Sequence, residues 1–320
     1  MASGTTAIVT GGAGFIGSAV SVALAARGHR VVAVDSLDTF YDPALKRANI
    51  EHTLANVPDG AFELVEADIR DAAAMESLYE ARRPALTVHL AARAGVRPSI
   101  AQPALYSSVN VEGTTVLLEA ARKHAAAAPF LMASSSSVYG NNEKTPFAED
   151  DPVERPISPY AATKRSCELI AATYHELYAL PVACLRFFTV YGPRQRPDLA
   201  IAKFMRLMRD GEAIPVFGDG SMSRDFTYID DIVAGVLAAG DHIGEHGYRI
   251  WNLGSDHPVR LDEMIAAIAG VLGVEPKIDR QPAPPGDVRR TWCDLTRSRA
   301  ELGYDPATPF EEGLRRQSEA

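Results

Sequence analysis

Short apolar stretches alternate with longer amphipathic stretches over roughly the first 190 residues of the chain. The apolar stretches have the length of strands: Thr6–Thr10, Val31–Val34, Phe62–Val65, Leu86–Leu90, Phe130–Ala133 and Val182–Arg186. The intervening stretches predict helices, which include one that ends near Ala26 and others near Asp71–Arg82, Leu105–Lys123 and Tyr160–Tyr178. Near-continuous apolar strands that alternate with helices are typical of an α/β fold with a doubly wound parallel sheet, the Rossmann arrangement.

The pattern becomes less regular after about Phe187, where proline and glycine interrupt it. Helices are still predicted near Ala200–Arg209, Asp230–Ala239 and Leu261–Leu272. We therefore expect a larger domain of residues 1–187, to which residues 226–255 contribute. A smaller, interleaved C-terminal domain would comprise residues 188–225 and 256–320.

Composition and charge narrow the class of protein. The 320 residues are 47% hydrophobic and 23% charged, as is usual for a folded soluble chain, and no apolar stretch has the length of a membrane span. The net charge of −9 disfavours binding to nucleic acid or to an anionic membrane. Cys167, Cys184 and Cys293 are far apart and show no metal-ligand spacing, so neither a disulfide framework nor a metal site is expected. With no room for a signal peptide before the first strand, we expect a cytoplasmic enzyme.

A glycine-rich turn follows the first strand and precedes the first helix. Gly11, Gly14 and Gly17 form a GxxGxxG pattern, and Gly12 also completes GxGxxG. Such a turn lets a pyrophosphate approach bare backbone, and the N–H groups of the following helix, with its Phe15 and Ile16, point towards the phosphates. The position of the pattern predicts a dinucleotide site.

Asp35, at the end of the second strand, indicates which dinucleotide binds. A carboxylate there accepts the adenosine ribose hydroxyls and repels a 2′-phosphate, which favours NAD over NADP. Lys46 and Arg47 would favour NADP, but they fall in a separate helical stretch. Further cofactor-binding candidates follow later strands or lie in the predicted helix after the fourth strand: Asp68, Ile69, Leu90, Ala91, Ala92 and Asn110.

Tyr160 and Lys164 form a YxxxK pattern at the start of a predicted helix, and the i,i+4 spacing places both on one face. A phenol becomes a useful base at neutral pH when a nearby positive charge stabilises the phenolate. Four consecutive serines, Ser134 to Ser137, follow the preceding strand, at the edge of the sheet where ligands bind. A hydroxyl in this run can hydrogen-bond a sugar O4 and direct its proton towards Tyr160.

Together these motifs resemble the extended short-chain dehydrogenase/reductase family. The resemblance rests on TGGAGFIG, the acidic end of strand two, SSSSVYG and YxxxK, and it continues through LRFFTVYGP, RDFTYIDD and PGDV. It implies nucleotide-sugar 4-epimerisation, with Ser135 as the catalytic hydroxyl, Tyr160 as the base and Lys164 as its modulator. Both Tyr160 and Lys164 would also contact the cofactor.

The serine run distinguishes among the reactions of this family. Relatives that dehydrate or decarboxylate carry an acidic residue just before VYG, whereas this chain has Ser136 and Ser137. Without that carboxylate, epimerisation at C4 is favoured, and a decarboxylase or a dehydratase is the less favoured alternative. A binding protein that senses redox state on the same fold is disfavoured because Tyr160 and Lys164 are both present.

The segment GPRQRPDLA and the segment TFYDPALK resemble UDP-glucuronate 4-epimerases. The resemblance implies that Arg196 pairs with the sugar carboxylate, since a guanidinium offers two parallel donors. Ser136, Ser137 and Thr189 would supply further hydrogen bonds. The neutral-sugar reaction, between UDP-glucose and UDP-galactose, remains the main alternative.

The nucleotide end of the substrate is less clearly marked. Candidate ligands on the diphosphate, the uridine and the sugar side are Arg224, Asp287, Phe217 and Arg97. Galactose-type epimerases tend to carry an arginine where this chain has Pro284, and Arg289 or Arg290 could replace it. Family resemblance also implies a homodimer built from the helices near Leu105–Lys123 and Tyr160–Tyr178.

Overall fold

The strands of the first half of the chain form one parallel sheet. The computed structural model describes residues 4–282 and 288–320. Its strands are β1 (Thr6–Thr10), β2 (Arg30–Asp35), β3 (Phe62–Glu66), β4 (Leu86–His89), β5 (Phe130–Ser135), β6 (Val182–Phe187), β7 (Thr189–Tyr191), β8 (Ala213–Phe217), β9 (Ser223–Tyr228), β10 (Tyr248–Leu253), β11 (Pro258–Arg260) and β12 (Lys277–Gln281).

Helices connect most of these strands. They are α1 (Phe15–Ala26), α2 (Pro43–Ala55), α3 (Ala72–Arg82), α4 (Val96–Ala101), α5 (Pro103–Tyr106), α6 (Gly113–His124), α7 (Pro159–Tyr178), α8 (Ala200–Arg209), α9 (Ile229–His246), α10 (Leu261–Leu272), α11 (Thr296–Leu302) and α12 (Phe310–Glu319). A π-helical segment, Ser107–Glu112, joins α5 to α6, and a 3₁₀ turn, Ser136–Tyr139, follows β5.

The main sheet has seven strands in the order β10-β6-β5-β4-β1-β2-β3. Every neighbouring pair in it is parallel. The chain runs from β1 towards β3 on one side and, from β4 onward, towards β10 on the other. This order confirms the predicted doubly wound Rossmann fold, and the reversal between β1 and β4 opens the crevice in which such sheets bind ligands.

Alternate residues of the strands pack against helices on the two faces of the sheet. Ala7 and Val9 belong to the same buried cluster as residues of α1 and α9, whereas Ile8 belongs to a second cluster with residues of α3, α6 and α7. Strands buried on both faces explain why their sequences are continuously apolar.

The less regular part of the chain forms two small sheets. β7, β9 and β11 form one, and β8 pairs with β12 in the other. Among the helices of residues 4–282 and 288–320, none has the length and apolar character needed to cross a bilayer.

Candidate active site

A cavity of about 480 Å³ lies at the carboxyl ends of the parallel strands, where the strand order reverses. It brings together most of the residues that the sequence singled out for cofactor and catalysis. Those that line it are Gly11, Gly14, Phe15, Ile16, Gly17, Asp35, Asp68, Ile69, Leu90, Ala91, Ala92, Ser135, Tyr160 and Lys164. Two of the predicted substrate ligands, Thr189 and Arg196, line it as well.

The glycine turn lies directly against the end of β4. Gly11 has a φ of +69°, and a Cβ on it would lie 2.8 Å from the backbone nitrogen of Ala91. A Cβ on Gly17 would lie 2.1 Å from the carbonyl oxygen of Gly11. Gly14 precedes α1 without a capping side chain, so the first N–H groups of the helix remain available to a ligand. These contacts fit a backbone cradle for a pyrophosphate.

Asp35 stands at the end of β2 with its carboxylate buried in the wall of the cavity. One oxygen accepts the N–H of Leu37 at 2.9 Å, and the other accepts the N–H of Ala13 at 3.2 Å. The Nζ atom of Lys46 lies 3.2 Å from the first oxygen. The expectation that Lys46 is separate from this site is therefore wrong: α2 folds back over the end of β2 and brings the ammonium group to Asp35.

His89 connects the end of β1 to α6 through hydrogen bonds on both sides of its ring. The N–H of Ala91 donates to the Thr10 hydroxyl, which lies 2.7 Å from His89 Nδ1. On the other side of the ring, Nε2 lies 2.9 Å from the Thr114 hydroxyl, and that hydroxyl donates to the Asn110 carbonyl oxygen. Since the Thr114 proton is committed, Nε2 must be the donor, and the ring is neutral with Nδ1 as the acceptor. Burial, with the charge of Lys164 adding to it, lowers the pKa of His89 to about 3.

Ser135, Tyr160 and Lys164 all line the cavity. Lys164 is 5% exposed, and its Nζ donates to the carbonyl oxygen of Ala133 at 2.7 Å. The Ser135 hydroxyl lies 3.1 Å from that of Ser137 and accepts the Ser137 N–H at 3.2 Å. The ring of Tyr106 meets that of Tyr160 edge-on at 6.3 Å between centroids. These contacts hold the predicted catalytic set within the described cavity.

A buried ion pair of Glu168 and Arg186 is hydrogen-bonded to the first residue of the serine run. The Ser134 hydroxyl donates to Glu168 at 2.6 Å, and Glu168 also accepts two hydrogen bonds from Arg186, at 2.9 and 3.0 Å. Both charged side chains are almost fully buried and neutralise each other, and Arg165 adds a second ion pair to Glu168 at 3.0 Å. The pair fixes the end of β5, on which Ser135 stands, relative to α7.

Arg196 reaches the cavity but already has a partner. Its Nε and Nη2 donate to the two oxygens of Asp198 at 3.0 and 2.6 Å. Burial, the largest single influence, would lower the pKa of Arg196, but the hydrogen bonds to Asp198 together with the charges of Asp198 and of nearby phenols raise it. Phe40, in the loop after β2, lies between two guanidinium groups, with Arg196 5.0 Å and Arg93 5.2 Å from its ring centroid.

Several predicted residues lie away from the cavity wall. Asn110 is buried behind it, where its side chain holds both backbone polar groups of Arg93 and donates to Thr163. Ser136 and Ser137 stand on the 3₁₀ turn and are not among the lining residues.

Among the described candidates for the nucleotide end and the sugar side, Arg97, Phe217 and Arg224 lie outside the cavity lining. The guanidinium of Arg97 lies 4.6 Å from the centroid of the Phe217 ring, so these two candidates contact each other. Arg224 donates to the carbonyl oxygens of Ser223 and Arg289 at 2.9 and 3.5 Å. Asp287 and Pro284 lie outside the described residues.

The cavity also contains polar residues that the sequence interpretation did not assign. Besides Lys46 and Asp198, they include Asp38, Tyr41, Arg70 and Arg93. Arg93 pairs with Asp38 at 2.7 Å, and Arg70 pairs with Asp68 at 2.6 Å and lowers the pKa of that carboxyl. For Asp38, Arg70 and Arg93, the signal in the sequence was a position within four residues of a strand end. The ion pairs that these residues form leave no periodic pattern in the sequence.

Comparison with known proteins identifies the class. The family described as the NAD dependent epimerase/dehydratase family matches residues 7–254 of this chain, and the chain belongs to it.

Particular relatives narrow the comparison. The chain is 41% identical to UDP-glucuronate 4-epimerase 5 of Arabidopsis thaliana over 98% of its own length and 74% of that protein. It is similar to the crystal structure of UDP-glucuronic acid 4-epimerase from Bacillus cereus with UDP-glucuronic acid and NAD, at a TM-score of 0.90, 33% identity and 98% coverage of both chains. It is also similar to UDP-glucose 4-epimerase of Thermotoga maritima with UDP-glucose, at a TM-score of 0.87, 32% identity and 98% coverage of both chains.

Proposed function

We propose that this protein is an NAD-dependent epimerase that interconverts UDP-glucuronate and UDP-galacturonate at C4. The observation that carries the proposal is the single cavity that Gly11, Ser135, Tyr160, Lys164 and Arg196 share. The relatives named for this reaction resemble the chain over nearly its whole length.

The proposed cofactor fits the part of the cavity lined by residues at the carboxyl ends of β1 and β2. Bare backbone at Gly11 and Gly17 leaves room for a pyrophosphate, and Asp35 stands where a ribose would lie. These residues would hold NAD, which would supply the acceptor and donor of the hydride at the sugar C4. Leu90, Ala91, Ala92, Asp68 and Ile69 complete this wall.

Tyr160 is the proposed acid and base. Its phenolate takes the proton of the sugar O4 as the C4–H bond breaks, and the phenol that results returns this proton to O4 after the 4-keto sugar has rotated to present its other face. Lys164 places a positive charge on the same helix face, which stabilises the phenolate, and its hydrogen bond to Ala133 fixes the charge there. Ser135 orients the O4 proton towards Tyr160.

Thr189 and Arg196 are the proposed ligands of the sugar carboxylate, because both line the cavity. A 4-keto uronate is a β-keto acid, which loses carbon dioxide when its carboxylate turns out of the ring plane. Fixed donors on the carboxylate oppose that turn. Ser136 and Ser137 remain proposed donors, although they lie on the turn behind the lining residues.

The remaining candidates belong to the nucleotide end or the sugar side. Phe217, Arg224 and Asp287 are proposed to contact UDP, in a substrate domain of residues 188–225 and 256–320, and Arg97 is proposed to contact the sugar side. The contact between Arg97 and Phe217 supports a shared surface that joins α4 to β8. The cysteines Cys167, Cys184 and Cys293 are buried thiols, in keeping with a cytoplasmic location, which we also propose.

We further propose that the protein is a homodimer whose interface includes α6 and α7. These helices pack side by side, and α7 presents Leu169, Leu177 and Tyr178 with 53%, 68% and 46% of their surface exposed. Apolar side chains that are grouped in this way mark interaction surfaces.

The purified protein, incubated separately with UDP-glucuronate and with UDP-glucose, tests the proposed substrate. Chromatography of the products should show UDP-galacturonate from the first and no comparable turnover of the second. Turnover of UDP-glucose alone would transfer the assignment to the neutral-sugar reaction. A substantial UDP-pentose product would contradict the proposed restraint of the carboxylate.

A further inference from the structure

The buried pair of Asp35 and Lys46 lies in the part of the cavity where the cofactor's adenosine ribose is proposed to bind. Both side chains are less than a tenth exposed, with the ammonium 3.2 Å from a carboxylate oxygen. Lys46 also lies 5.3 Å from the centroid of the Tyr41 ring, which holds the ammonium from another side. The ammonium is therefore fixed at Asp35, and both residues line the cavity.

A single carboxylate ordinarily decides between the two nicotinamide cofactors at this point of the fold. It accepts ribose hydroxyls and repels the 2′-phosphate of NADP, whereas proteins that bind NADP place a positive charge there. This chain carries both groups in contact, so their charges compensate and the surroundings of Asp35 are not strongly negative. Rejection of a 2′-phosphate would then depend on the Asp35 carboxylate alone.

We propose that Lys46 is a latent ligand for a 2′-phosphate, masked by Asp35. A phosphate oxygen in place of the carboxylate oxygen would meet the same ammonium at hydrogen-bond distance. The chain would thus be one substitution away from accepting NADP. The inference concerns the adenosine end of the cofactor and does not depend on which sugar the enzyme epimerises.

The neighbouring residue offers a matched control. Arg47 follows Lys46 on α2 but is exposed, whereas Lys46 is buried against Asp35. If NADP binding depended only on the positive charge near the site, removing either residue would weaken it. If it depends on a direct contact with the 2′-phosphate, only the loss of Lys46 would weaken it.

The test uses wild type, Asp35→Ser, Asp35→Ser with Lys46→Met, and Asp35→Ser with Arg47→Met. Each purified protein is incubated with equal excesses of NAD and NADP for a time in which labelled NAD fully replaces the resident cofactor. Unbound dinucleotide is removed, and the bound dinucleotide is released by heating and separated by ion-exchange chromatography. Asp35→Asn, which keeps the size of the side chain, is carried through the same series in case serine impairs folding.

Wild type should retain NAD, and Asp35→Ser should raise the bound NADP:NAD ratio by about 100-fold, since repulsion is removed and a charge-assisted hydrogen bond is gained. Adding Lys46→Met should reduce that ratio by about tenfold or more, whereas adding Arg47→Met should leave it nearly unchanged. Isothermal titration with 2′,5′-ADP, compared with ADP, should give the same order of variants. The proposal is overturned if neither Asp35 variant gains NADP, or if Lys46→Met and Arg47→Met have equal effects.

Discussion

Tyr160 and Tyr106 are neighbouring phenols with different surroundings. Tyr160 lines the cavity beside Lys164, whereas the Tyr106 hydroxyl donates to the carbonyl oxygen of Ala94 at 2.9 Å. Tyr160→Phe should reduce turnover of UDP-glucuronate by about 10²–10⁴-fold, the usual contribution of a positioned acid or base, and should leave bound cofactor in place. Product chromatography and the dinucleotide content of the purified protein measure the two effects. Tyr106→Phe, the matched control, should retain most activity; equal losses in both variants would contradict the assignment of the base.

Asp198 occupies the guanidinium of Arg196, which we propose as the ligand of the sugar carboxylate. The pair uses Nε and Nη2 of Arg196, the edge best suited to grip a carboxylate. Asp198→Asn should lower the KM for UDP-glucuronate severalfold because the arginine loses its resident anion, and Arg196→Met should raise it. The dissociation constant of UDP-glucose, which has no carboxylate, is measured by isothermal titration as the control and should change little in either variant. An equal change for both nucleotide sugars would show that Arg196 does not recognise the carboxylate.

The neutral state of His89 makes the stability of the fold depend on pH. Its pKa is lowered from an ordinary 6.5 to about 3 in the folded protein, so the unfolded chain takes up a proton first as the pH falls. Stability is lost between about pH 6.5 and pH 3, at about 1.4 kcal/mol per pH unit for this group. Urea unfolding of His89→Gln should show a pH dependence shallower by one proton in this range. His257→Gln, a change at an exposed histidine, should keep the wild-type slope.

Secondary structure was predictable where each element is set by its own residues. β1 was predicted at Thr6–Thr10 and is found there, because five consecutive residues fill both faces of the sheet. The single helix predicted near Leu105–Lys123 is instead α5, a π-helical segment and α6. The wider π-helical turn contains Asn110, whose side chain holds the backbone of Arg93. The spacing of apolar residues cannot predict a hydrogen bond between a side chain and a distant backbone group.

In the candidate site, too, the residues that belong to local sequence patterns were predictable, and those brought in by folding were not. The glycine turn and YxxxK are local patterns, and the cavity brings them together as expected. Lys46 and Asp198 could not be assigned from the sequence. Lys46 reaches Asp35 because α2 folds back on β2, and Asp198 binds Arg196 because of the turn between them. Both depend on chain reversals that spacing alone does not reveal.

The helix α7 begins with an N-terminal cap whose contribution to stability can be measured separately from activity. Ser158 accepts the N–H of Ala161 at 3.1 Å, and Pro159 follows it as the first helical residue. Ser158→Ala should lower the free energy of unfolding by about 1 kcal/mol, as measured by urea denaturation, while the KM for UDP-glucuronate changes little. Thr173→Ala, on an exposed part of the same helix, should have a smaller effect. A larger loss of stability from Thr173→Ala would contradict the role of the cap.

At the scale of the whole molecule, the sheet order sets where chemistry can occur. Because β1 and β4 are neighbours but their following helices leave in opposite directions, their carboxyl ends enclose the cavity between them. The residues proposed to bind the cofactor lie at the ends of β1 to β4 or follow them, and those proposed for catalysis lie on β5 and α7. The residues after β6 supply Thr189, Arg196 and Asp198 from the remaining side. One cavity is thus lined by residues drawn from Gly11 to Leu199 of the chain.

The exposed face of α7 leads to the last prediction. Leu169 and Leu177 are two helical turns apart and therefore lie on one side of the helix, where a second copy of the chain can cover them. Leu169→Arg should convert a dimer to a monomer in analytical ultracentrifugation, because it would place two like charges in an apolar interface. Leu54→Arg is the matched control: Leu54 on α2 is 54% exposed, close to the 53% of Leu169, but it lies on another helix. A monomeric wild type, or equal dissociation in both variants, would contradict an interface on α7.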